Sequence, residues 1–161
     1  MAPGSMFASE PMKTLLFFVV LMVCAQAVSA QEAFSGKWHV VKAEPAPWAA
    51  AGAKPQAEAN FAHASFEFRA DRVTGPSWTA CRKPKYDLTP LAFDSLFEGG
   101  LFDPEHGLKD AATLAHRLGF QREPVPSMIS SCSELLFHLA DSDTALFALN
   151  NMIYTMKREH Q

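Results

Sequence analysis

Apolar and polar residues alternate most cleanly at residues 64–69. Ala64, Phe66 and Phe68 fall on one side and Ser65, Glu67 and Arg69 on the other, the two-residue period of a half-buried strand. Residues 34–42 carry a similar pattern, with Trp38, Val40 and Lys42 alternating with Lys37, His39 and Val41. Near the C-terminus, Leu135, Phe137 and Leu139 alternate with Leu136, His138 and Ala140. Asp141-Ser142-Asp143 then reads as a turn, residues 144–149 as the next strand, and residues 152–157 as another. Asparagine tolerates positive φ, so Asn150-Asn151 between the last two predicts a two-residue hairpin. Residues 72–79 read as a strand broken at Gly75-Pro76, which predicts an edge strand or a bulge. In residues 83–88, Tyr86 and Leu88 share a face.

The period lengthens in the middle of the chain. Residues 93–102 are apolar and turn-rich, and read as a short helix or buried loop ending at Gly99-Gly100. Asp103-Pro104 then opens a predicted helix of about eleven residues, with Leu108, Ala111, Ala112, Ala115 and Leu118 on one side. Gly119 stands at its C-terminal cap, and Arg117 in the last turn complements the helix dipole. Residues 44–60, rich in Ala and Pro, read as a long loop with at most a short helical turn, of the length that often carries function. The count is about seven or eight short strands and one mid-chain helix. The fold class is therefore mainly β, a β-rich α+β domain built as a small antiparallel barrel or a strongly curved sheet.

The first thirty residues belong to another pattern. Lys13 precedes the uncharged stretch 14–30, whose strongly apolar part is residues 15–23, and Val28-Ser29-Ala30 ends it. A basic start, a short apolar core and a small-x-small site describe a signal peptide, residues 1–30, removed before Gln31. The apolar part is shorter than the roughly 20 residues of a spanning helix. Cys24 follows Val23 rather than a small residue and reads as an apolar leader residue, not a lipid anchor. The expectation is a periplasmic or secreted domain, residues 31–161, with no membrane attachment after cleavage.

Cys81 and Cys132 are the cysteines outside the leader. In an exported chain they read as one disulfide. Closing a loop of about fifty residues, it contributes about 4 kcal/mol in the chain-entropy model. Glu10 and Lys13 cancel within the leader, so the formal charge of −3 belongs to the mature part. A mildly acidic surface without a basic stripe excludes a nucleic-acid binder.

At Phe34-Ser35-Gly36-Lys37-Trp38 the chain resembles the lipocalin and wider calycin barrels, whose first strand is entered by Gly-x-Trp. The resemblance implies an up-and-down barrel of roughly eight strands around an apolar cavity. It also implies structural roles for Trp38, plugging one end, and for Arg158, packing across it.

The chain has no Gly-x-Ser-x-Gly elbow, no His-Glu-x-x-His and no phosphate-cradling glycine loop. Its six histidines are dispersed, without pairs at metal-ligand spacing. Met152 and Met156 share a strand face and read as packing residues. No cofactor or metal is expected, and no catalytic residue is assigned. Trp48, flanked by Pro47 and Ala49 in the long loop, has few local neighbours to bury it. With Trp78 and Tyr86 it forms the candidate contact surface. Arg82 and Lys85, beside Cys81 and Lys83, form the candidate grip for an anionic group. The expected function is binding without catalysis. The ligand is a small apolar or anionic molecule in a barrel-like cavity, or a protein partner at the loops, as in bacterial lysozyme inhibitors of similar size and compartment. An uncharacterised hydrolase is the remaining alternative.

Overall fold

The computed structural model describes residues 32–51 and 54–160. The leader, Cys24 and the expected cleavage after Ala30 lie outside the described residues. Within them the strands are β1 (Gly36–Pro45), β2 (Ser65–Phe68), β3 (Arg72–Thr74), β4 (Cys81–Arg82), β5 (Tyr86–Leu91), β6 (Val125–Ser130), β7 (Leu136–Leu139), β8 (Thr144–Leu149) and β9 (Met152–Arg158). They form a single antiparallel sheet in the order β4-β3-β2-β1-β9-β8-β7-β6-β5, curled into a half-barrel. The first and last strands therefore pair at its centre.

The free edges, β4 and β5, are joined by residues 83–85, and the Cys81–Cys132 disulfide ties β4 to the turn after β6, with the two Cα atoms 5.4 Å apart. The Tyr86 hydroxyl crosses the seam to donate to Arg69 O at 2.7 Å. The connection is pinned on either side of it, by Lys83 N–H donating to Asp71 O at 2.8 Å and Lys85 N–H to Ser131 Oγ at 2.9 Å.

Strand alternation gives the sheet two apolar faces. The inner face carries Trp38, Phe66, Phe68, Met128, Phe137, Phe147, Tyr154 and Met156, all buried. Phe61, from a 3₁₀ turn at Ala59–Phe61, inserts among them with its ring centroid 5.6 Å from those of both Phe147 and Tyr154. Phe147 and Tyr154 are register partners and stack at 4.9 Å. Each such side chain stabilises the fold by about 1.5–3 kcal/mol on burial. The outer face carries Val125, Leu146 and Ile153, and the 92–124 segment covers it with Phe93, Leu96, Phe97, Leu101, Ala115 and Phe120.

Several expected elements differ in extent. β1 continues to Pro45 because a bulge between Val40 and Lys42 resets its pairing with β9. The bulge leaves Val41 exposed. The segment expected as a strand at 72–79 ends at Thr74, since Gly75-Pro76 leads into a 3₁₀ turn at Ser77–Thr79. The mid-chain helix is shorter than the eleven residues expected. Asp103-Pro104 opens only a 3₁₀ turn, and helix α1 (Ala111–Arg117) starts where the Asp110 carboxylate accepts from Thr113 N–H at 2.9 Å. Gly119 follows α1 with φ +100°, as expected of its cap position. Asn150 and Asn151 take φ +50° and +59° in the predicted hairpin turn.

Candidate functional site

Antiparallel pairing makes β1, β3, β6 and β8 run in one direction, so the loops that follow them leave the sheet at the same end. They enclose an open cleft of about 480 Å³. Trp48 comes from the 3₁₀ turn Pro47–Ala51 after β1, and Trp78 from the turn after β3. Ser133 to Leu136 enter after β6, and Leu149 to Asn151 close the β8–β9 hairpin. Phe97 and Glu98, from the segment over the outer face, complete the wall.

Local packing sets each tryptophan. Trp48 lies with its ring centroid 5.7 Å from that of Phe97 and against the backbone of Gly100. A Cβ at Gly100 would stand 2.8 Å from the Trp48 ring, so the glycine admits the indole. The loop returns to the hairpin through Gln56 N–H to Asn150 O at 3.1 Å and Asn150 Nδ2 to Glu58 Oε1 at 2.8 Å. Trp78 packs on Phe61 at 5.6 Å and remains 49% exposed.

Phe97 and Glu98 occupy the left-handed region, with φ +52° and +59°. Neither is glycine, so the conformation is strained and needs a hold. His138 supplies it. The Phe97 N–H donates to His138 Nε2 at 3.1 Å, which makes Nδ1 the protonated nitrogen. Nδ1–H donates to Ser127 Oγ at 2.7 Å, and the Ser127 hydroxyl donates to Val125 O at 3.2 Å. The side-chain polar atoms of His138 and Ser127 are thus all paired. Ser127 and His138 face each other across β6 and β7, both fully enclosed. Burial lowers the His138 pKa to about 3, so the ring stays neutral and accepting at neutral pH. A serine and histidine at this distance resemble a nucleophile and its base. Here, however, both are sealed from solvent and their hydrogen bonds end on backbone atoms.

The structure brings Trp48 and Trp78 together and places the other candidates elsewhere. Arg82 and Lys85 are exposed on the seam between β4 and β5 and do not line this cleft. Tyr86 packs partly against the inner core, and burial raises its phenol pKa. Trp38 is buried toward the opposite end of β1. The Arg158 guanidinium lies over its ring, 4.2 Å from the centroid, and donates to the carbonyls of Ser35 and Ala33. Among the described residues, no cluster of three or more side chains is arranged to hold a metal ion, and no helix is long and apolar enough to cross a membrane.

Sequence reasoning missed Phe97, Glu98, Glu134 and the Ser127–His138 pair. The pair carried a faint signal, since His138 sits within an otherwise apolar strand. Glu98 stands directly before Gly99-Gly100, where the sequence predicts the end of a short helix or buried loop. No protein-family model, curated protein or solved structure matches the chain.

Proposed function

We propose that the protein is an exported, non-enzymatic binding module that holds a partner protein at the loop end of its half-barrel. The observation that carries this reading is the Trp48–Trp78 cleft. It is an open hollow of about 480 Å³ with aromatic and leucine walls, the kind of surface that anchors a partner's side chains. The inner face of the sheet is taken up by its own rings, so a loop-borne site is favoured over a ligand inside the curl. The leader and the disulfide support a periplasmic or secreted setting. The Trp38–Arg158 closure supports relating the fold to the lipocalin and calycin barrels, with the binding site moved from the lumen to the loops.

The test is panning of a random peptide library displayed on phage against the folded, oxidised protein and against Trp78→Ala. A consensus enriched on the wild type and lost on the variant supports the reading. Enrichment no greater than on an unrelated protein overturns it.

A further inference from the structure

We infer that the occupant of the Trp48–Trp78 cleft is a cationic peptide segment, a lysine or arginine flanked by apolar side chains. The inference rests on the binding reading above and adds the chemistry of the partner.

The cleft wall carries two carboxylates, Glu98 and Glu134, both exposed, and no lysine, arginine or histidine. Among the described residues, neither carboxylate has an ion-pair partner. Two like charges in one hollow with apolar walls concentrate a negative potential there, and a cation entering the hollow relieves it. The walls suit the same guest. Trp48 and Trp78 offer the ring surfaces over which a guanidinium or ammonium is attracted. Phe97, Leu136 and Leu149 accept apolar neighbours of that charge. An anionic guest would meet both carboxylates unshielded. Arg82 and Lys85, which have no ion-pair partner among the described residues and would receive one, stand outside the cleft wall. The hollow is open rather than enclosed, which lets a chain segment cross it.

The experiment is a tryptophan-fluorescence titration with three probes. These are a capped hexapeptide alternating leucine and arginine, its twin with glutamate in place of arginine, and tetramethylammonium chloride alone. The arginine peptide is expected to saturate the signal and to weaken as salt rises. It should lose about tenfold in affinity against the Glu98→Gln, Glu134→Gln double variant, the effect of two partly exposed charges. The glutamate twin is expected to give no saturation. Equal binding of the two peptides, or unchanged affinity in the double variant, overturns the cationic occupant while the binding reading stands. Saturation by tetramethylammonium at the peptide's own concentrations overturns the peptide in favour of a small cation. If neither peptide binds, the cationic occupant is overturned. A library that also yields no consensus then removes the binding reading with it.

Discussion

In β6 and β7, two adjacent register pairs face opposite ways. Met128 and Phe137 meet on the inside of the sheet, and Ser127 and His138 meet on the outside. The inner pair carries no polar side-chain atom that needs a hydrogen bond, so its energy comes from removing apolar surface from water. The outer pair is as deeply buried, but its energy depends on each polar atom finding a partner. The two faces therefore differ in what they tolerate. The inner face resists changes of pH and yields to loss of volume, while the outer face yields to loss of a proton acceptor. The cleft stands where they meet, with Trp78 leaning on the inner core through Phe61 and Trp48 on the outer one through Phe97.

Four measurements break or sharpen this contrast. Phe147→Ala removes the ring that touches Phe61, Phe66, Phe137 and Tyr154. It should cost about 3–5 kcal/mol in urea denaturation. Acid comes next. The folded-state pKa of His138, about 3, lies below the ordinary 6.5. The unfolded chain thus takes up the proton first as pH falls, and stability declines from about pH 6.5 down to about pH 3. Between pH 7 and pH 4 the loss due to His138 should be roughly 3 kcal/mol. It is read as the difference in slope between the wild type and His138→Gln, and equal slopes would refute the buried neutral imidazole. Ser127→Ala strips the acceptor from His138 Nδ1–H and should cost about 2 kcal/mol. It is also expected to loosen Phe97, visible as faster amide exchange at that residue. Trp78→Ala, at a half-exposed ring, should change stability by no more than about 1 kcal/mol. A larger drop in melting temperature would make Trp78 a core residue and count against its role in the cleft.

The legible part of the molecule is the part that strand periodicity writes directly. Phe66 and Phe68, the β8–β9 hairpin and its Asn150-Asn151 turn follow from local rules, because each residue's face is decided by its immediate neighbours. The two-residue strand β4 and the strand Val125–Ser130, which begins amid prolines, have no such pattern, and only pairing with a neighbour defines them. At the site, Trp48 stands out because a large apolar residue in a loop lacks local cover, whereas Trp78 lies in a segment expected as strand and is freed by the 3₁₀ turn there. Glu98 and Glu134 do not stand out, because an exposed glutamate is ordinary until topology sets it beside another. That Arg82, Lys85 and Tyr86 do not line the cleft with the tryptophans has a related reason. Proximity in sequence to Trp78 carried no information about which side of a curled sheet each would take.

The pairing of β1 with β9 sets a timetable as well as a shape. The strand at the middle of the sheet, β9, follows the other described strands in the chain, and it joins Trp38 to Arg158 across most of the described residues. A chain leaving a ribosome or a membrane pore in order can form the β2–β3 and β7–β8 hairpins as they appear. It has no partner for the far side of β1 until Met152 and the residues after it are free. The sheet must therefore wait, half-assembled and with its aromatic residues uncovered, for β9, and its closure is tied to the emergence of that strand.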